Sequence, residues 1–351
     1  GKIPSHMGNP DLKWEKTSSF DFGFDFGFLN NRINGSVDMY FSKTNDLLFY
    51  KSAPTSSVFP SVISNIGKTK GSGIELQLNT LIINAKAFSW NINWSYSHMS
   101  DKITELTGGI DKYETGNNNE ARIVGERVNT YLDYETSGTW AVGEFANYIA
   151  SHKFYDSNGN EVAANYPSGY GDPGTLKIND RNNDGKLSAD DRRVYNADPE
   201  NLFGMNNTFS YKNFSLSVQL MARLGGYIPY AMNNRLDYET ANWGGGCTDY
   251  WTYTNQNAKF PSPGADKSIY TTYGSSLLYE KADFLKIKDI TLSYSLPKRW
   301  ISKIGLSNAR IYGSLKNFIT FSHIDNFDPE AGGGYSFPLA KQAVIGINLE
   351  F

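Results

Sequence analysis

The sequence predicts an all-β protein whose antiparallel strands form a transmembrane barrel. Three observations carry that expectation. Apolar and polar residues alternate with a period of two through most extended segments, short turns and long loops alternate between those segments, and aromatic residues are abundant although no apolar run reaches the roughly 20 residues of a membrane helix. Phe20, Phe22, Phe24, Phe26 and Phe28 share one face of the first segment, while Asp21, Gly23, Asp25 and Gly27 share the other. In a soluble sandwich such a phenylalanine face would be core. In a barrel it faces lipid, and the aspartates face a wet lumen.

The same pattern recurs along the chain. Val37, Met39 and Phe41 alternate with Ser36, Asp38 and Tyr40, and Ile74, Leu76 and Leu78 with Glu75, Gln77 and Asn79. Trp90, Ile92, Trp94 and Tyr96 alternate with Asn91, Asn93, Ser95 and Ser97. Met205, Asn207, Phe209 and Tyr211 follow, then Phe214, Leu216, Val218, Leu220, Ala222 and Leu224. A pattern over residues 284–296 changes phase near Asp289, which predicts a bulge. The last strands are expected over residues 309–321 and 342–351. Lengths near ten residues suit a tilted membrane crossing.

The connections sort by length. Short turns are expected at Leu29-Asn30-Asn31, Asn84-Ala85-Lys86 and Tyr211-Lys212-Asn213, and long excursions over residues 44–70, 106–201, 225–281 and 322–341. Outer-membrane barrels show this asymmetry, with the short side periplasmic. Running the first strand down into the periplasm makes the last strand run down too, provided the extended stretch 129–140 belongs to a large extracellular loop region, residues 106–200. That gives about nine crossings, an odd number, whereas a complete single-chain bacterial barrel has an even one. Residues 1–7 hold no secretion signal, although such a barrel must be exported. The expectation is therefore the C-terminal part of a larger barrel. Ala343, Ile345, Ile347, Leu349 and Phe351 add a terminal apolar face ending on an aromatic, similar to the signature by which barrel-assembly machinery recognises its clients.

Composition excludes other classes. The chain of 351 residues has a net charge of -3 and no block of like charges, which gives nucleic acid no electrostatic footprint. Its 23 Tyr, 21 Phe, 7 Trp and 33 Gly accompany only 39% hydrophobic residues, which excludes a helical membrane protein. A single cysteine, Cys247, excludes a disulfide-stapled domain. His6, His98, His152 and His323 have no metal spacing, and no nucleophile elbow or phosphate loop stands out. Asp328 and Glu330 share one face of an extended segment, which alone does not define a glycosidase. No enzyme is expected.

An ordered set of segments resembles the SusC-like family of TonB-dependent transporters from Bacteroidetes. It comprises Gly8-Asn9-Pro10-Asp11-Leu12-Lys13-Trp14-Glu15, Gly71-Ser72-Gly73-Ile74-Glu75-Leu76, residues 180–192, residues 283–294, Leu315-Lys316-Asn317-Phe318 and Phe327-Asp328-Pro329-Glu330. Order and spacing match over essentially the whole chain. The resemblance implies about 22 strands around an N-terminal plug, TonB contact through a region not present here, and a SusD-like surface lipoprotein as lid. It also implies import of oligosaccharides or oligopeptides across the outer membrane, with outer-membrane lipid around the barrel. The alternatives are a passive porin-type or structural barrel, and a soluble β-rich glycan-binding surface protein.

Two local patterns suggest binding. Asp180, Asn182, Asp184, Ser188 and Asp191 place oxygen donors at positions 1, 3, 5, 9 and 12 of a loop, with Gly185 at position 6 and the backbone carbonyl of Lys186 at 7. Calcium takes six to eight hard oxygen ligands in this order, so a structural Ca2+ is expected. Asp191 is shorter than the usual glutamate and would bind through one oxygen or through water. The alternative is a plain turn rich in Asp, Asn and Gly. Trp243, Asp249, Tyr250 and Trp251 sit in a second cluster, where rings beside polar groups suit sugar or peptide recognition. The alternative there is that the aromatics pack the loop or sit at the membrane interface.

Overall fold

The computed structural model of the chain describes residues 8–52, 56, 59, 61–115, 119–230, 249–265, 267–324, 328–332 and 339–351. Nine antiparallel strands form one sheet: β1 (Lys16–Phe28), β2 (Ile33–Ser52), β3 (Ser61–Asn84), β4 (Phe88–Leu106), β5 (Asn201–Tyr211), β6 (Phe214–Leu224), β7 (Phe284–Ser295), β8 (Asn308–Ser322) and β9 (Gln342–Glu350). Each pairs with its predecessor, so the order is an unbroken meander. All nine expected crossings are present. The stretch 129–140 lies outside this sheet, as Thr130–Asp133 and Thr136–Thr139 in smaller ones.

The register joins the apolar faces into one surface. Phe24 lies opposite Val37, Val37 opposite Leu76, Leu76 opposite Tyr96, Tyr96 opposite Phe203 and Phe203 opposite Ala222. Phe20, Phe22, Phe24 and Phe28 are at least half exposed, and Ile345 and Ile347 on β9 are 87% and 62% exposed. An apolar surface of this extent is unstable in water and matches hydrocarbon. Tyr211, Phe214 and Tyr294 meet in register at the short-turn end, with the Phe214 and Tyr294 rings 4.7 Å apart, where an aromatic belt belongs.

The bulge is where the phase change put it. Gln219 pairs with Asp289 and Leu220 with Ile287, leaving Lys288 as the extra residue of β7. Without it, Ile290 and Leu292 would turn to the polar face, because a one-residue slip inverts every side chain beyond it. β8 answers with its own irregularity, since Ile287 pairs with Ile319 and Asp289 with Lys316, and Asn317 takes a left-handed conformation (φ 59°). The turn at Leu29, Asn30 and Asn31 is left-handed at three successive residues (φ 52°, 54° and 61°).

One expectation is corrected. Residues 44–70 are mostly ladder, not excursion: pairing resumes after Asp46 (φ 59°) with Leu47 opposite Gly67, the register shifts on either side of that pair, and the ladder continues to Ser52 opposite Ser61. β2, β3 and β4 contain 20, 24 and 19 residues, whereas about 10 cross the membrane. Beyond the bilayer no lipid face imposes the alternation, and Ile66, Ile103 and Leu106 are buried there with Arg122 of the long loop over the Phe49 ring, while the backbone still needs its hydrogen bonds. The connection from β7 to β8 also differs from the tight turns on its side, carrying the short helix Lys298–Ile301.

Above the long-loop ends sits a module built like a soluble protein. Trp140, Tyr170, Leu176 and Ile178 from the loop after β4 pack with Phe260, Ile269, Tyr273 and Leu277 from the loop after β6. Arg193–Asn196, Thr130–Asp133, Glu120–Ile123 and Lys112–Glu114 form a four-stranded sheet beside them. Buried Arg127 fastens the module to the rim of β4: its guanidinium donates to Asp101 Oδ1 (3.0 Å) and to the carbonyls of Met99 (3.3 Å) and Asp198 (3.2 Å).

Candidate functional site

The polar face of the sheet carries a row of uncharged hydrogen-bonding groups beside carboxylates such as Asp25, Asp38 and Glu75. Asn34, Asn79, Asn93, Asn206 and Gln219 lie opposite one another in one row across five strands. Asn79 Nδ2 donates to Asn34 Oδ1 at 3.2 Å, and Ser217 Oγ to Asn206 Oδ1 at 2.9 Å. Amides and hydroxyls can donate and accept, so such a row accommodates polar solutes of either hydrogen-bonding sense.

At the outer end of β7 the polar face carries an ion-paired cluster. Lys286 is fully buried, and its Nζ lies 2.6 and 2.7 Å from the Asp328 carboxylate oxygens and 2.9 Å from Glu330 Oε2. Lys288 Nζ reaches both Glu330 oxygens at 2.6 and 2.8 Å. Two cations and two anions therefore neutralise each other. Asp328 also caps the short 3-10 helix Pro329–Ala331 through the Glu330 N–H. Burial opposes ionisation of Glu330, yet hydrogen bonds from Lys288 and Lys286 hold its carboxyl below the usual carboxylate range. The segment after β8 is thus folded back over the polar face. In the sequence Asp328 and Glu330 share a face, but their cationic partners lie 42 residues away. The signal available was Lys286 and Lys288 interleaved with Leu285 and Ile287, which puts both ammoniums on the polar face.

The 180–191 loop is held by its own side chains. Asp180 Oδ2 accepts from Tyr166 Oη (2.7 Å) and Gly185 N (2.9 Å), and Asp184 N donates to Asp180 Oδ1 (3.2 Å) and to Asn182 Oδ1 (3.1 Å). Asp184 Oδ1 accepts from Lys186 N at 3.2 Å, and the Lys186 ammonium lies 3.3 Å from Asp184 Oδ2. Asp191 is fully buried and accepts from Arg181 N (2.9 Å) and Ser188 N (2.7 Å). Burial pushes its carboxyl above the ordinary aspartate range, and the nearby Asp180 charge adds to that. Asn183 (φ 57°) and Gly185 (φ 77°) supply the tight turn. A strand, Leu176–Ile178, precedes the loop and a 3-10 helix, Ala189–Asp191, forms its end, in place of two flanking α-helices. Among the described residues no three His, Cys, Asp or Glu side chains are grouped as a metal centre.

Of the aromatic cluster, Trp243 lies outside the described residues. Trp251 is 4% exposed, meets the Tyr253 ring edge-on at 5.0 Å and packs against Gly174, where an added Cβ would approach its ring to 3.0 Å. Asp249 accepts from Asn255 Nδ2 (2.9 Å) and Lys259 N (3.1 Å), closing the same loop. Tyr250 is 42% exposed, so it alone of these three presents an open ring.

Comparison with known proteins agrees with this architecture. Residues 4–179 match the family described as TonB dependent receptor-like, beta-barrel. The chain is 30% identical to TonB-dependent receptor SusC of Bacteroides thetaiotaomicron over 361 residues, covering 98% of this chain and 32% of that protein. It is 28% identical to TonB-dependent receptor P3 of Formosa agariphila over 375 residues, covering 100% of this chain and 36% of the relative. Among solved structures, the RagAB peptide importer in its closed-closed state superposes with a TM-score of 0.73 at 27% identity, covering 99% of this chain and 36% of that one. The chain thus spans about a third of the length of the relatives it matches. It belongs to the TonB-dependent receptor-like β-barrel family of the bacterial outer membrane.

Proposed function

We propose that this chain is the C-terminal barrel wall of a SusC-like importer that takes up oligosaccharides or oligopeptides under TonB control, with a SusD-like lipoprotein as its lid. The observation that carries the reading is the two-faced sheet, apolar outside and amide-lined inside, topped by a packed loop module. Likeness to SusC and to a peptide importer supports it. β1 and β9 each pair on one side only among the described residues, and an open edge is not stable in hydrocarbon. Further strands must therefore complete the barrel. The polypeptide serves transport, not catalysis.

The test uses the full-length protein in its host. Uptake of labelled oligopeptides and oligosaccharides is measured with and without TonB, and the lipoprotein is sought by co-purification. Uptake that persists without TonB supports the passive porin instead. Release from membranes without detergent supports the soluble glycan-binding alternative.

The same reading includes one structural Ca2+ in the 180–191 loop, held by Asp180, Asn182, Asp184, the Lys186 carbonyl, Ser188 and Asp191. The spacing of oxygen donors at loop positions 1, 3, 5, 9 and 12 of the sequence supports it. Calcium should raise the protease resistance of this loop in the wild type and not in Asp184→Ala. Equal resistance with and without calcium contradicts the assignment.

A further inference from the structure

A cavity of about 530 Å³ opens where three long loops converge. Glu135, Arg193 and Tyr195 come from the loop after β4, Tyr227, Ser276 and Lys281 from the loop after β6, and His323 from the segment after β8. Its walls are locked before any ligand arrives. Arg193 pairs with Glu135, donates to Tyr227 Oη at 3.0 Å and lies over the Tyr195 and Tyr227 rings at 5.2 and 5.4 Å. Tyr195 stacks on Tyr279 with centroids 4.3 Å apart, and Lys259 pairs with Glu280. Walls fixed in this way reduce the ordering cost of binding.

What is left over is a set of donors. Ser276 is 5% exposed, and its buried hydroxyl has no hydrogen-bond partner. Among the described residues, Lys281 has no ion pair and His323 no hydrogen bond, while Arg193 and Lys259 are already matched by carboxylates. A buried hydroxyl without a partner has lost its water and gained nothing in return, which a ligand acceptor would relieve. The excess of unmatched donors and of positive charge selects an anionic acceptor over a neutral one.

We propose that this cavity is a ligand subsite that takes a carboxylate group of the imported molecule, with Lys281, Ser276 and His323 as its donors. The proposal rests on the import reading. The carboxylate can come from a peptide terminus or from the uronate of an acidic sugar, since both present the same two oxygens.

The experiment measures binding to the purified full-length transporter in detergent by calorimetry. One arm compares trialanine with trialanine amide, and the other trigalacturonate with its methyl ester. In at least one arm the free acid should bind about tenfold tighter than its neutral counterpart, as one charge-assisted contact implies. Lys281→Met should abolish that preference, and Ser276→Ala should reduce it. His323→Gln, a substitution at an exposed position, provides a second variant with the fold retained. Equal binding of acid and neutral forms in both arms, no binding in either, or a preference that survives Lys281→Met overturns the subsite. Binding as expected with no TonB-dependent uptake would instead overturn the import reading, so the two failures are distinguishable.

Discussion

The barrel sheet and the loop module use the same residues in opposite ways. On β1, Phe20, Phe22, Phe24 and Phe28 are 50–65% exposed, while in the module Trp140 is 1% and Phe260 4% exposed. The sheet meets a solvent that is itself apolar, so its aromatics need no partners beyond strand neighbours. The module stands in water and must bury its rings against each other, as Trp140 does with Phe145 and Tyr170 at 5.0 and 5.7 Å. Charge does not divide them in the same way. Lys286 of the sheet is buried beneath Asp328 and Glu330 of the segment after β8, and the module buries Asp191 and Arg127 while leaving its Glu114–Arg192 pair partly in solvent. The outward face of a barrel is thus decided by lipid, and its loops obey the rules of a globular core.

That contrast can be broken most forcefully in the module. Trp140→Ala should cost about 3–5 kcal/mol, the usual range for emptying an aromatic core site. Limited proteolysis should then cut within residues 130–180 while the full-length barrel keeps its heat-modifiable migration. Joint loss of both would mean that the two regions are one cooperative unit. An effect of similar size is expected at the ionic cluster. Lys286→Ala leaves Asp328 without its cation, while Glu330 keeps Lys288, and should cost about 3–5 kcal/mol. Hydrogen exchange should show residues 328–331 released while the β7 strand itself stays protected.

Phe24→Arg tests the lipid side and should cost about 2–4 kcal/mol if the site lies near the bilayer midplane, falling toward zero near an interface. Refolding into lipid vesicles measures it, with Phe24→Leu as the control expected to be nearly neutral. The smallest effect belongs to pH. Hydrogen bonds from Arg192 pull Glu114 down to about 2, against the opposing effect of burial and with help from Lys112. Its folded value is depressed, so its contribution is full above the unfolded value of about 4.3 and is lost as pH falls through about 2. Solvent screening limits that contribution to under about 1 kcal/mol. Glu114→Gln should flatten the acid limb of module unfolding by that small amount.

Much of the sheet was legible because a membrane imposes a two-residue period on every crossing. Phe20 to Phe28, the phase change at Asp289 and the short turns each left a local signature, and the strand count followed by parity. The upper halves of β2 and β3 did not, because above the bilayer the ladder persists without any alternation to mark it. The core around Trp140 and the pairing of Lys286 with Asp328 join residues far apart in irregular segments, where no period links them. The calcium pattern was legible as spacing alone. The loop cavity was not, because Arg193, Ser276 and His323 acquire a common purpose only when three loops meet.

The most direct test of the two-faced wall places single cysteines along β1 and β3 of the full-length protein, with Cys247 replaced by serine. Spin labels at Phe22, Phe24, Leu76 and Leu78 should be reached by oxygen dissolved in the bilayer. Labels at Asp21, Asp25, Gln77 and Asn79 should be reached by a water-soluble nickel reagent, giving two period-two profiles out of phase. Profiles in phase, or lipid-side positions open to the nickel reagent, would contradict a sheet with lipid on one face and a polar lumen on the other.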